Sequence, residues 1–126
     1  MAFSRNIRVL VVDEHELVAL SLGVVFESIE DIDLIGRAAD GEQGVAMVGE
    51  LEPDVVLMDL MMPVMDGFQA TALIRARYPR VKVIVLSAST LQADVDAAYQ
   101  AGAHAYLSKD GSGESIVDTI RSIVLT

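Results

Sequence analysis

PDVVLMDLMMPVMDG, residues Pro53–Gly67, joins a short apolar run to a loop rich in turn-forming residues. The run Val55–Met58 predicts a strand that is buried on both faces, and it ends at the carboxylate of Asp59. Because ligands bind outside the carboxyl ends of the strands in an open parallel sheet, this pattern places Asp59 at the mouth of such a sheet. Pro63 restricts the backbone of the loop, and Asp66 predicts the cap of the next helix.

On both sides of this stretch, short runs rich in β-branched residues alternate five times with longer helical patterns. The predicted strands are Ile7–Val12, Leu34–Ala38, Val55–Met58, Val83–Leu86 and Ala105–Leu107. The predicted helices are Glu14–Ser28, Gly41–Leu51, Gly67–Tyr78, Leu91–Ala101 and Ser112–Val124. This alternation predicts a doubly wound α/β fold of the (βα)5 type, in which a parallel five-stranded sheet carries helices on both faces.

Four helix starts carry an acceptor side chain three residues before Glu or Gln, which is the spacing of a capping box. These pairs are Asp13 with Glu16, Asp40 with Gln43, Asp66 with Gln69, and Ser89 with Gln92. Pro79 and Gly102 predict the ends of the third and fourth helices.

The 126 residues predict one domain, spanning residues 1–126, that is large enough to bury a core without disulfides or structural metals. The chain has no cysteine, which fits a reducing, cytoplasmic location. Its net charge of −10 argues against direct binding of nucleic acid, so a DNA-directed role would need another domain. The apolar run Val9–Val12 is too short for a signal peptide or a membrane span.

Polar side chains follow four of the predicted strands: Asp13 and Glu14 the first, Asp59 the third, Ser87 the fourth and Lys109 the fifth. Parallel strands would bring these side chains to one edge of the sheet. Two carboxylates about 5 Å apart repel by roughly 3 kcal/mol at an effective dielectric constant of about 20, so the cluster needs a cation. Hard oxygen ligands favour Mg²⁺, or Mn²⁺ in its place, with room left for phosphate oxygens.

Asp59 is a candidate nucleophile, because a carboxylate can form an aspartyl-phosphate when a metal and an ammonium group offset the incoming charge. Glu14 and Asp59 would bind the metal, with Asp13 helping directly or through water. Lys109 would pair with a phosphoryl oxygen and with Asp59, and Ser87 would donate a hydrogen bond to another phosphoryl oxygen.

These residues stand in motifs that resemble one protein family. The motifs are Asp13-Glu14, Asp59-Leu-Met-Met-Pro63-Val-Met-Asp66-Gly67, Ser87-Ala88 and Tyr106-Leu-Ser-Lys109. In this order, and over essentially the whole chain, they resemble the receiver domains of two-component response regulators. Details such as VVDEH and VLSAS are similar to the NarL/FixJ type. The resemblance implies the flavodoxin-like strand order 2-1-3-4-5.

The resemblance also implies roles for single residues. Asp59 would accept a phosphoryl group from a phosphohistidine on a sensor histidine kinase, with Mg²⁺ held by Glu14, Asp59 and the backbone carbonyl of Met61. Ser87 and Tyr106 would form a switch pair that changes the face made by the fourth helix, the fifth strand and the fifth helix. The domain would then catalyse only its own phosphorylation and dephosphorylation.

Receivers of the NarL/FixJ type usually precede a helix-turn-helix domain. The expected output is therefore transcription through a DNA-binding domain that this chain does not contain. A stand-alone receiver, or an output through a partner unrelated to transcription, stays open as the alternative.

Four positions depart from the commonest receiver pattern. Glu14 replaces a second aspartate, which shifts the carboxylate by one methylene, and Asp110 follows Lys109 where many receivers have proline. Met61 and Ser89, in the loops that flank the phosphorylation site, offer no acid or amide to orient an attacking water. We therefore expect slow self-dephosphorylation.

Other function classes use similar residues. A phosphatase of the haloacid-dehalogenase type needs a second acid two residues after its nucleophile, and that position is Met61 here. A flavin-binding domain would bring the cofactor phosphate against Asp13 and Glu14, which would repel it. A protein-binding module that keeps the fold without phosphorylation is less consistent with the full set of site residues.

Simpler roles suit several other residues. Asp66 is expected to be a helix cap, His15 to be exposed in the first helical turn, and His104 to lie near a strand start, so that the two histidines make no metal site. The methionines of the central stretch are expected to pack in the core, namely Met58, Met61, Met62 and Met65.

The first helix is apolar on two faces. One face predicts a core stripe of Leu17, Val18, Leu22 and Val25. The other face is expected to be exposed and carries Leu20 and Val24. Together with the fifth helix this face would form a homodimer interface on phosphorylation, around Ile116, Ile120 and Ile123.

Overall fold

The computed structural model describes residues 5–125, which form five strands and five helices in strict alternation. In chain order the elements are β1 (Ile7–Val12), α1 (Glu16–Glu27), β2 (Ile32–Ala38), α2 (Gly41–Leu51), β3 (Val55–Met58), α3 (Gly67–Arg77), β4 (Lys82–Ser87), α4 (Gln92–Ala101), β5 (Ala105–Ser108) and α5 (Gly113–Val124). The predicted (βα)5 alternation is confirmed, and the ends of the elements differ from the prediction by at most two residues. A bilayer-spanning helix would need more length and apolarity than any helix within residues 5–125 offers.

The five strands form one parallel sheet in the order β2-β1-β3-β4-β5, which confirms the flavodoxin-like topology. The runs Val9–Val12 of β1 and Val55–Met58 of β3 lie at its centre and are almost completely buried. Strands that are apolar at every position need cover on both faces, and the helices supply it. Because all strands run in the same direction, their carboxyl ends share one edge of the sheet.

Alternate residues of β1 enter two separate cores. Val9 and Val11 pack with side chains of α1 and α5, whereas Leu10 and Val12 pack with side chains of α2 and α3. A third, smaller cluster contains Leu60, Val85, Ala98 and Ala103, with Phe68 and Tyr106 against it. The sheet is therefore fixed from both faces, and the ring of Tyr106 belongs to the small cluster beside α4.

At two of the four predicted capping boxes the acceptor side chain does not cap the helix. The carboxylate of Asp13 accepts the backbone N–H of His15 at 2.8 Å, so the chain turns before α1 begins at Glu16. The hydroxyl of Ser89 accepts the N–H of Leu91 at 3.2 Å, and α4 begins only at Gln92. In both places a side chain closes a local turn in the loop instead of capping the helix.

The other two predicted caps hold their helices. Asp66 and Gln69 form a complete capping box at the start of α3. Asp40 accepts the N–H of Gln43 at the start of α2, but the Gln43 side chain accepts the N–H of Ala39 and not that of Asp40. Gly102 ends α4 in the left-handed conformation with φ of 112°, as predicted.

The predicted role of Leu17 in the core is wrong, because its side chain is 75% exposed. The buried residues of α1 are Ala19, Leu22 and Phe26, while Leu20 and Val24 are exposed as predicted. The predicted homodimer surface is wrong at α5, since Ile116 and Ile120 are buried in the core. A helix that is apolar on both faces gives no periodic signal to show which face turns inward.

Gly67 lets α3 start directly beneath the carboxyl end of β3. A Cβ atom at this position would overlap the carbonyl of Asp59, and the N–H of Gly67 donates to the carbonyl of Leu60 at 2.8 Å. The backbone of the loop can therefore pack against itself only without a side chain here.

Replacing Gly67 with alanine is expected to lower the free energy of unfolding by about 1–3 kcal/mol, because the new methyl group meets rigid backbone atoms. Chemical denaturation followed by circular dichroism measures the change. Gly23→Ala in α1 is the control, since its Cβ would lie 3.7 Å from the Leu34 side chain, an ordinary contact. That substitution should raise the stability by about 0.5–1 kcal/mol. A destabilisation of equal size in both variants would contradict the explanation.

His104 precedes β5 and contributes its ring to the hydrogen bonding of β4. The Nδ1 atom accepts the backbone N–H of Val83 at 3.1 Å, so the ring is held with this nitrogen unprotonated. Burial, followed by the charges of Arg75 and Lys82, lowers the pKa of His104 below its usual value. The folded state therefore binds this proton less readily than the unfolded chain does.

A depressed pKa in the folded state stabilises the protein above the pKa of the unfolded histidine, about 6.5, and that stability is lost as the pH falls through the folded pKa. As the pH is lowered below about 6.5, we expect the free energy of unfolding to decrease more steeply in the wild type than in His104→Gln. Urea denaturation at a series of pH values measures the difference. Parallel curves for the two proteins would show that His104 does not contribute.

Candidate functional site

Two carboxylates and one ammonium group meet at the carboxyl edge of the sheet. Asp13 follows β1 and is 2% exposed, and Asp59 follows β3 and is 5% exposed. The Nζ atom of Lys109, which follows β5, lies 2.8 Å from Asp13 Oδ2 and 3.3 Å from Asp59 Oδ1. We call these three side chains the acidic pocket.

Backbone hydrogen bonds beyond the strand ends hold the acidic pocket in register. The N–H of Asp13 donates to Ala38 O, that of Asp59 to Val12 O, and that of Lys109 to Ser87 O, each at 2.9 Å. The ladder of the sheet thus continues one residue past β1, β3 and β5. The three side chains are placed by the sheet and not by flexible loops.

The charges of the pocket shift two pKa values upward. Burial, followed by the charge of Asp13, raises the pKa of Asp59, although Lys109 and the N–H of Leu60 act in the opposite direction. Burial disfavours the ammonium form of Lys109, but the hydrogen bond that Lys109 donates to Asp13 and the charges of both carboxylates outweigh it and raise the pKa of Lys109. One ammonium group therefore does not balance the two carboxylates.

His15 adds a possible nitrogen ligand beside the pocket. Its Nδ1 atom lies 3.2 Å from Asp13 Oδ1. Within residues 5–125, the group of side chains that could hold a metal ion consists of Asp13, His15 and Asp59, with ligand atoms within 4.8 Å of one another. Two buried carboxylates with excess negative charge fit a hard divalent cation such as Mg²⁺.

The β4–α4 loop connects two further polar side chains. The buried hydroxyl oxygen of Ser87 accepts the N–H of Ser89 at 3.1 Å. The hydroxyl of Tyr106, on β5, donates to the carbonyl of the same Ser89 at 2.9 Å. The Ser89 hydroxyl in turn donates to Asp94 in α4 at 2.5 Å. Ser87, Tyr106 and the first turn of α4 are thus joined through one residue.

The β3–α3 loop is held from the side by α2. The N–H of Gly41, at the start of α2, donates to Met65 O at 3.0 Å, and the N–H of Met65 donates to Pro63 O at 2.7 Å. Between them Val64 adopts a positive φ of 68°, a conformation that β-branched residues rarely take. The side chains of Met61 and Val64 point outward and are more than two-thirds exposed.

Comparison with known protein families identifies the family of this chain. The model of the response regulator receiver domain matches residues 9–121, which include every member of the acidic pocket. The chain belongs to the response regulator receiver family.

Individual relatives agree with this assignment. Over 116 residues the receiver domain is 43% identical to the transcriptional regulatory protein LiaR of Bacillus subtilis (strain 168), a match that covers 92% of this chain and 55% of LiaR. The chain thus spans little more than half the length of this relative.

Solved structures show the same fold. The signal receiver domain of the putative response regulator NarL from Mycobacterium tuberculosis superposes with a TM-score of 0.90 at 31% identity, covering 95% of this chain and 97% of that one. The CheX–CheY–BeF3–Mg²⁺ complex from Borrelia burgdorferi matches with a TM-score of 0.87 at 27% identity, covering 94% of this chain and 90% of that one. The resemblance noted from the motifs, including the NarL-type relationship, is confirmed.

The receiver structure brings together some of the predicted site residues and leaves others apart. Asp13, Asp59 and Lys109 converge in the pocket, and Ser87 and Tyr106 meet at Ser89. Glu14 is exposed and, within residues 5–125, lies outside the group of potential metal ligands. The prediction that Met61 packs in the core is wrong, because its side chain is 71% exposed, so Met61 could act at the site only through its backbone carbonyl.

Two residues of this edge were not predicted to belong to the site. His15 is exposed, as predicted, but its Nδ1 atom also lies 3.2 Å from the carboxylate of Asp13. Arg37, near the end of β2, donates from Nη1 to the carbonyl of Asp13 at 2.9 Å. The signal in the sequence was its position near the carboxyl end of β2, at the same edge of the sheet as the other polar strand-end residues.

Two substitutions are expected to move the pKa of Asp59 in opposite directions. Asp13→Asn removes a neighbouring negative charge and should lower it, whereas Lys109→Met removes a positive charge and should raise it further. Titration of the Asp59 carboxyl carbon by NMR in the metal-free protein measures both. Shifts in the same direction would contradict the described balance of charges.

Proposed function

We propose that this receiver accepts a phosphoryl group on Asp59 from a phosphohistidine of a sensor histidine kinase, in the presence of Mg²⁺, as a cytoplasmic signalling protein. The observation that carries the proposal is the position of Asp59: it is buried at a strand end, beside Asp13, with Lys109 Nζ 3.3 Å away. A carboxylate held in this way can act as a nucleophile toward phosphorus once its charge is balanced.

Each residue of the pocket has a role in the transfer. An oxygen of Asp59 forms the new bond to phosphorus as the bond from phosphorus to the donor imidazole breaks. The leaving nitrogen keeps the electron pair and takes a proton from water. Lys109 pairs with a phosphoryl oxygen, and the hydroxyl of Ser87 donates to another.

Asp13 and Asp59 would hold the divalent cation, with Glu14 and the backbone carbonyl of Met61 as the further ligands expected from the family. A bound cation would offset the negative charge of the phosphoryl group in the transition state. The CheY complex from Borrelia burgdorferi contains BeF3 and Mg²⁺, which supports Mg²⁺ as the cation by analogy.

The response to phosphorylation would pass through the β4–α4 loop. If the Ser87 hydroxyl turns toward the phosphoryl group, its hydrogen bond from the N–H of Ser89 breaks. The carbonyl of the same Ser89 accepts the hydrogen bond of the Tyr106 hydroxyl, so this bond would be affected too. The face formed by α4, β5 and α5 would change with it. LiaR is called a transcriptional regulatory protein and is nearly twice as long as the matched region, so transcription through a separate DNA-binding domain is the output we favour.

The proposal is tested by incubating the protein with acetyl phosphate, with and without Mg²⁺, and measuring its intact mass. The wild type should gain one phosphoryl group only when Mg²⁺ is present, and Asp59→Asn should gain none. Asp66→Asn is the matched control, because it makes the same chemical change in the same loop and asparagine can still cap α3. Phosphorylation of Asp59→Asn, or of the wild type without a divalent cation, would refute the proposal.

Self-dephosphorylation is expected to be slow, with a lifetime of minutes or longer. The Ser89 hydroxyl is hydrogen-bonded to Asp94, and the Met61 side chain is apolar and exposed. Neither side chain is therefore placed to orient the water that would attack the phosphoryl group. Met61→Asn should shorten the lifetime severalfold because an amide can position the attacking water. The decay of the phosphorylated mass over time measures this. A wild-type lifetime of seconds would contradict the expectation.

A further inference from the structure

The main chain of Asp13 is held from both sides by the carboxyl end of β2. Its N–H donates to Ala38 O at 2.9 Å, and its carbonyl accepts Nη1 of the half-buried Arg37, also at 2.9 Å. Since α1 begins only at Glu16, Asp13 lies outside the helix, and the guanidinium group supplies a partner for its carbonyl. Arg37 therefore fixes the peptide group that joins Asp13 to Glu14.

The same peptide group orients the acidic side of the pocket. The carboxylate of Asp13 contacts Lys109 through Oδ2 and the N–H of His15 through Oδ1. A rotation of its backbone would move both oxygens away from these partners. Mg²⁺ accepts little departure from octahedral geometry, so the position of this carboxylate matters for binding.

We propose that Arg37 is a positioning residue that holds the β1–α1 loop in the arrangement that binds a divalent cation. The proposal rests on the proposed function, which assigns the cation to Asp13 and Asp59. Arg37 acts through the carbonyl of Asp13 and not by contact with the ion. Side chains that orient metal ligands in this indirect way typically change metal affinity by about 10–100-fold when removed.

The positive charge of Arg37 would affect the affinity for the cation in the opposite direction to its hydrogen bond. Acting as a charge alone, the guanidinium group would repel the cation, and its removal would strengthen binding. The two effects differ in sign, so one measurement separates them. The hydrogen bond is proposed to dominate because it fixes a buried carboxylate, while the charge of an outer side chain is partly screened by solvent.

The affinity for Mg²⁺ alone, measured by calorimetry on the full chain, tests the proposal. Arg37→Met should weaken binding about tenfold, and Arg37→Lys, which keeps a donor on a long side chain, should recover most of the affinity. Arg121→Met is the control: it removes an arginine that pairs with Asp31, just before β2, at the opposite end of the strand. This control should bind Mg²⁺ as the wild type does.

A second measurement needs no metal. The N–H of His15 is bonded to Asp13 Oδ1, and its hydrogen exchange in the metal-free protein should accelerate in Arg37→Met but not in Arg121→Met. If Arg37→Met does not fold, Arg37→Gln serves in its place, because its shorter side chain falls short of the carbonyl.

Unchanged or tighter Mg²⁺ binding in Arg37→Met would overturn the proposal, as would equal weakening in Arg37→Lys or unaltered exchange at His15. A wild type that binds no Mg²⁺ would instead refute the proposed function, so that the two failures can be told apart.

Discussion

The contact of one ammonium group with two buried carboxylates is the constraint on which this receiver depends. Asp13 and Asp59 are both almost inaccessible to water, and Lys109 reaches both. Its single charge permits the two acids to stay close in the folded protein, while burial and then the charge of Asp13 still raise the pKa of Asp59. The remaining negative charge is of the kind that a hard divalent cation offsets.

The hydrogen bonds of Ser89 link the end of β4 to β5 and to α4. Its N–H, carbonyl and hydroxyl groups are each bonded to a different element: the end of β4, the ring on β5 and the first turn of α4. A change at any one of these bonds alters the geometry available to the other two. Such a residue can couple two arrangements of a loop without any long chain of intermediaries.

The sequence was sufficient for the fold and for the central members of the pocket, because both follow from one pattern. Apolar strands that end in polar residues determine the sheet and, since the strands are parallel, also bring Asp59 and Lys109 together. The errors arose where that pattern carries no information. Leu17 lies on a helix that is apolar on two faces, and the side chain of Asp13 forms a hydrogen bond within its own loop instead of capping the helix. The contacts of His15 and Arg37 with Asp13 depend on how far and in which direction these side chains extend, and the spacing of residues in the sequence does not reveal this.

Val64 occupies a backbone conformation that glycine or asparagine would adopt with less strain. Its neighbours impose it: Pro63 has a restricted φ, and Met65 is tied to α2 through Gly41. The β3–α3 loop therefore stores conformational energy, on the order of 1–3 kcal/mol for such a residue. This stored energy lowers the free energy needed to rearrange the β3–α3 loop when a partner or a new covalent group offers better contacts.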